Sequence, residues 1–297
     1  MKKVQVFAIL ILLVFASGIF MFALSGDEKK KLLHEGTAQY FPTSVDFAGE
    51  KAPLQIADVQ ERLDRELIVN ANLHSSTILI MKRANRAFPI MEPILKQYGV
   101  PDDFKYLAVI ESALTNAVSA AGAKGVWQFM PETAKEKGME VNEVVDERYH
   151  LQKSTEAACK YLVKAKEKLG SWTLAAASYN GGMGGLSRKL DEQKVASYYD
   201  LMLTDETYRY VFRILALKEI MKNPALYGFD VSKSELYENL PTKTIQVDSS
   251  ITDLASFAKA QGINYKILKI HNPWLRDKKL DNPSKKKYQL EIPTSGY

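Results

Sequence analysis

Positions 105–130 read KYLAVIESALTNAVSAAGAKGVWQFM, and the first third of that stretch decides the fold class. Leu107, Ala108 and Glu111, with Phe104 just ahead, recur at three- and four-residue steps and therefore share one stripe of a helix. The stripe is apolar except for the glutamate. An ionised carboxylate in apolar surroundings costs several kcal/mol unless it is paired or protonated. Glu111 is thus either a paired structural ion or a working acid. The remainder of the stretch is dense in Ala, Gly and Ser, which let a chain or ligand approach closely, before the cluster Trp127, Gln128, Phe129. Flat apolar faces beside an amide suit a sugar cleft and suit core packing as well.

The helical period extends in both directions. From Ile56, apolar residues at Val59, Leu63 and Leu67 open a helix, and helix follows helix to about residue 222. Asp102 after Pro101 is expected to cap the Glu111 helix, and Pro131 to open a short one ended by Gly138. Ser154 is expected to cap STEAACKYLVKAKEKLG before Gly170. Ser171 should start SWTLAAASYN, which GGMGG stops, and ETYRYVFRILALKEIM should run to Asn223-Pro224. After Pro241 the pattern changes. KTIQVD and YQLEIP alternate like strands around two helical segments, giving a β-α-α-β unit whose small size makes it depend on its neighbour for part of its stability. The expected organisation is a mainly α fold: a membrane segment at 1–24, a polar linker at 25–55, a helical domain at 56–240 and a small module at 241–297.

Composition narrows the chemistry. The chain has 297 residues, 46% hydrophobic and 25% charged, with net charge +5, which is ordinary globular composition with a mildly basic surface. One cysteine, Cys159, excludes an internal disulfide and a cysteine-based zinc site. The four histidines show no metal-ligand spacing, and neither a serine elbow nor a phosphate loop occurs, so no cofactor is expected. Val6 to Leu24 are uncharged and apolar apart from Ser17 and Gly18, a length that spans a bilayer. Lys2 and Lys3 ahead of the segment orient the body outward, as an anchored or exported protein facing the periplasm.

Tyr179 and Asn180 close the alanine-rich helix at AAASYNGG, where a tyrosine hydroxyl can bond a carboxyl on another helix and an asparagine can equally serve as a helix end. In order and spacing, ES, AVSAAGAKGVWQFMPETA, DERYHLQKSTEAACKYL, AAASYNGG and ETYRYVFRILALKEI resemble the SLT-type domain of lytic transglycosylases, nearest to the membrane-bound lytic murein transglycosylase D group. The likeness runs from about residue 57 to 230. It implies a lysozyme-like helical fold that cleaves the β-1,4 bond between N-acetylmuramic acid and N-acetylglucosamine in peptidoglycan glycan strands, with no nucleic-acid partner.

By motif position the resemblance makes Glu111 the catalytic acid and base, and Ser119 and Gln128 groove residues near the scissile sugar. Met130 would line the acid's pocket, Tyr179 and Asn180 would orient the glutamate and contact the substrate's acetamido group, and Glu206 and Tyr210 would form a supporting polar shell. Two departures stand out: Val126-Trp127 replace the usual leucine-methionine, and Ser178 the usual alanine. The C-terminal unit is similar to a LysM carbohydrate-binding module around LASFAKAQGINYKILKIHNP, with VDSSITDL in place of the usual Gly-Asp-Thr. A lysozyme-type hydrolase using Glu206 to activate water, and a catalytically degenerate wall-binding protein, are the alternatives.

Overall fold

Helix α3, Lys105–Ser112, buries almost every side chain it has, Tyr106 to Ile110 included. A helix apolar on all sides belongs in the middle of a fold. Around it, in a computed structural model that describes residues 40–297, run α1 (Ala57–Asn72), α2 (His74–Gln97), α5 (Leu151–Leu169), α6 (Trp172–Gly181) and α8 (Asp205–Lys222). Helix α8 packs on both α1 and α3, α2 packs on α5, and α5 on α6. Leu63 and Leu67 of α1 meet the broad apolar face of α8, on which Val211, Phe212, Ile214 and Leu215 are buried. Each such side chain contributes about 1.5–3 kcal/mol on burial, which is how a helix as short as α3 forms at all. Ala175, Ala176 and Ala177 make α6 thin, and Thr173 to Ser178 are buried, so it lies close to its neighbours.

Several boundaries follow the sequence signals. Pro131 opens α4, Pro131–Glu136, and Ser171 caps α6 by accepting a hydrogen bond from Leu174 N at 3.1 Å. Others differ. Asp102 bonds Lys105 Nζ at 2.5 Å instead of capping, because that buried ammonium is the stronger partner. Ser154 is inside α5, donating to His150 O at 2.9 Å, and the helix begins three residues earlier at Leu151. Past Gly182, the GGMGG run re-enters a helix, α7 (Met183–Gln193), since Leu186 has an apolar site to fill.

The anchor expected at 1–24, and the part of the 25–55 linker before Tyr40, lie outside the described residues. Residues 40–55 are not a free linker. Strands β1 (Asp46–Phe47) and β2 (Glu50–Lys51) make a small hairpin whose Phe47 is fully buried against Phe104, ring centroids 4.9 Å apart. Glu50 accepts from Trp172 N and Thr173 N, both at 2.8 Å, at the start of α6. A carboxylate there satisfies orphan amides and the helix dipole, a contact between distant segments that no local period reveals. Among the described residues no helix is long and apolar enough to cross a membrane.

The C-terminal module pairs β3 (Thr242–Val247) antiparallel with β4 (Tyr288–Pro293), from Thr242↔Pro293 to Val247↔Tyr288. Helices α9 (Leu254–Ala260) and α10 (Tyr265–His271) sit between them in sequence, capped by Asp253 and Asn264. Tyr288, Leu290 and Ile292 alternate inward on β4 and join Leu254, Leu268 and Leu275 in a core. Val145 and Tyr149 of the helical domain complete the same cluster.

Candidate active site

Glu111 occupies the last turn of α3, and the chain then makes two left-handed steps, Ala113 (φ 51°) and Leu114 (φ 58°). Non-glycine residues in that conformation cost about 1–3 kcal/mol each and collect where function constrains the backbone. The steps send the chain into the loop 115–130, which folds back beside α3. Ser112 Oγ donates to Val126 O at 2.8 Å and fastens the returning chain to α3. Within the loop, Ser119 Oγ accepts from Ala123 N at 3.0 Å, and Gln128, itself at φ 49°, donates through Nε2 to Ala117 O (3.1 Å) and Gly125 O (2.7 Å). Gly125 is the fixed point: with φ at 83°, a Cβ there would stand 1.9 Å from the carbonyl oxygen of Arg148.

The carboxyl of Glu111 accepts a hydrogen bond from the Tyr210 hydroxyl on α8. Burial pushes the Glu111 pKa up from 4.5 to about 7, against the pull of the Tyr210 bond and the Arg213 guanidinium, and with a small further push from the charge of Glu206. Desolvation therefore dominates, and the acid holds its proton well above the usual carboxylate range, up to about pH 7. Arg213 lies one turn beyond Tyr210 on the same helix and donates to Ile110 O at 3.2 Å. Its position three residues after the tyrosine was visible in YVFRIL, but nothing in the sequence alone separated it from any other surface arginine.

Tyr179 corrects one expectation. Its hydroxyl donates to Trp127 O at 2.8 Å, and its ring sits edge-on to Phe129 at 5.9 Å and to Tyr161 at 5.3 Å. It holds the loop; Tyr210 holds the acid. The reason is packing: α8 lies directly on α3, whereas α6 presents the end of its alanine face to the loop. Asn180 is clamped at both ends of its amide, donating to Glu206 Oε1 at 2.9 Å and accepting from Thr207 Oγ1 at 2.7 Å. These residues border an open pocket of about 560 Å³ whose walls include Leu186, Arg188 and Met202.

The structure thus gathers Glu111, Tyr210 and Tyr179 with the Gln128 loop, and sets Asn180 and Glu206 together at the adjoining pocket. Ser119 shapes a turn with its hydroxyl, and Met130 stands exposed at the start of α4. Thr207, which fixes Asn180, is a residue the sequence did not single out.

Comparison with known proteins bears on the same elements. Residues 89–202 match the family described as Transglycosylase SLT domain, and residues 243–296 match the Soluble lytic transglycosylase C-terminal LysM-like domain. The Membrane-bound lytic murein transglycosylase D proteins of Escherichia coli strains K12 and O6:H1 are each 28% identical to the chain over 238 residues, covering 76% of it. The chain spans about half the length of these relatives, 50% in each case. The SLT match contains Glu111 and the loop 115–130 but ends before Glu206 and Tyr210. The chain accordingly carries an SLT transglycosylase domain followed by a LysM-like domain, and is a homologue of membrane-bound lytic murein transglycosylase D.

Proposed function

We propose that the protein is a peptidoglycan lytic transglycosylase that cleaves the β-1,4 bond between N-acetylmuramic acid and N-acetylglucosamine without consuming water. The observation that carries this reading is the Glu111 carboxyl, held by the Tyr210 hydroxyl and raised by desolvation to a pKa of about 7. Most glycosidases that use water or an enzyme nucleophile place two carboxylates across the scissile bond. One acid suffices when the substrate supplies its own nucleophile. Neutral Glu111 donates its proton to the glycosidic oxygen as the bond to the anomeric carbon breaks, while the muramyl acetamido oxygen supports the positive charge at that carbon. The resulting carboxylate then takes the proton of the sugar's own 6-hydroxyl, whose oxygen closes a 1,6-anhydro ring. Glu111 is returned protonated, and the cycle balances.

In this reading Gln128, Ser119 and Met130 belong to the wall of the glycan groove, Tyr179 braces that wall, and Asn180 and Glu206 edge the next sugar position. The apolar segment at 6–24 anchors or exports the protein, so that the catalytic domain works in the periplasm-facing cell envelope in wall turnover or remodelling. Incubation with purified sacculi is expected to release soluble muropeptides, and the same preparation should cleave short soluble glycan strands. A wild-type protein that binds sacculi but releases nothing would replace the enzyme by a wall-binding scaffold.

A further inference from the structure

The segment 140–150 lies between the C-terminal module and the groove loop and touches both. On the module side, Asp146 N donates to Trp274 O at 2.9 Å and Arg276 N to Val144 O at 2.8 Å. Lys286 pairs with Glu140 at 2.6 Å and Glu147 at 3.0 Å, and the Tyr288 hydroxyl donates to Glu140 at 2.9 Å. Arg276 covers the Tyr149 ring at 4.2 Å, and Val145 and Tyr149 are part of the module's core. This is a packed joint, not a tether.

On the groove side the same segment presents Arg148. Its guanidinium is buried, gripped by the Asp146 carboxylate at 2.9 and 2.8 Å, and donates to Gly122 O at 3.1 Å and Phe129 O at 3.2 Å. Those two carbonyls bracket the turn that carries Gln128 and Trp127. Nε and Nη2 hold the Asp146 carboxylate while Nη1 reaches both carbonyls, four bonds that a lysine ammonium with three donors would not make. The backbone of Arg148 also fills the space in front of Gly125. The module, strap and loop therefore form one continuous chain of buried contacts, while Glu111 and Tyr210 stand on α3 and α8 outside it.

We propose that the C-terminal module is a positioning element for the substrate loop: acting through the strap 140–150 and its Arg148, it fixes the groove wall and so sets how tightly the glycan is held. Arg148 is a positioning residue in this scheme. The proposal rests on the glycan-cleaving reading of the groove, and it differs from a wall-binding role because it acts on substrates too short to reach the module.

The test uses the full chain with the paired substitutions Lys286→Met and Tyr288→Phe at the joint, and separately Arg148→Lys. With a short soluble glycan strand, KM is expected to rise about three- to tenfold with kcat and the pH dependence of kcat nearly unchanged. Calorimetry of the same glycan on the Glu111→Gln background should show Kd weakened by a similar factor. An unchanged KM and Kd in both variants would overturn the proposal, as would a fall in kcat at constant KM, which signals a smaller folded fraction. Should the wild type fail to cleave the glycan, the functional reading falls, and the Kd comparison still decides the positioning role.

Discussion

Glu111→Gln is expected to lower glycan cleavage by about 10²- to 10⁴-fold, the range that a positioned general acid supplies, while leaving the fold and sacculus binding intact. Glutamine keeps an oxygen for the Tyr210 hydroxyl and fills the same volume, so only the transferable proton is removed. Stability should move the other way. With its pKa raised from 4.5 to about 7, folded Glu111 keeps a proton that the unfolded chain has released. The stability linked to that proton is fully present below pH 4.5 and is lost as pH rises through about 7. At about 1.4 kcal/mol per unit, the cost at mildly alkaline pH is on the order of 2–3 kcal/mol. The variant should therefore melt above the wild type at about pH 8, with the gap closing toward about pH 4. A gap in Tm that ignores pH would mean that Glu111 is not held in a desolvated site.

Tyr210→Phe is expected to cost about 10- to 100-fold in kcat, since the acid then lacks the bond that aims it and small misplacements of reacting groups are expensive. Its pH effect has a definite sign. The tyrosine bond favours the carboxylate and lowers the Glu111 pKa, so removing it raises that pKa further. Activity that requires the protonated acid should persist to higher pH, moving the alkaline limb of the kcat profile upward even as the plateau falls. A limb displaced downward, or an undiminished rate, would assign the orientation of Glu111 to another group. Tyr179→Phe provides the contrast, because Tyr179 bonds Trp127 O and not the acid.

Much of the helical domain was legible because its determinants are local. Helical period marked α3 and the awkward glutamate on it, and Pro131, Gly170 and Ser171 marked helix ends where the backbone demands those residues. What escaped depends on contacts between distant segments. The GGMGG run is a helix breaker by propensity, yet α7 starts inside it because Leu186 is buried there. Polar residues 40–55 show no period, yet Phe47 and Glu50 tie them to the core and to the start of α6. The family resemblance gave Tyr179 the orienting role and Tyr210 a place in a supporting shell, but which of them bonds the acid depends on how α6 and α8 lie against α3. Asp146 and Arg148 look like one more exposed charged pair in DERYH. Only folding shows the arginine spanning from the C-terminal joint to the groove loop.

The most direct measurement is the mass of the muropeptides released from purified sacculi by the wild-type protein. Release of 1,6-anhydro-muramyl ends, lighter by one water than reducing ends and free of solvent oxygen when the digest is run in isotopically labelled water, is the expected result. Reducing-end muramic acid carrying the labelled oxygen would contradict it, and would make Glu111 the acid of a hydrolase.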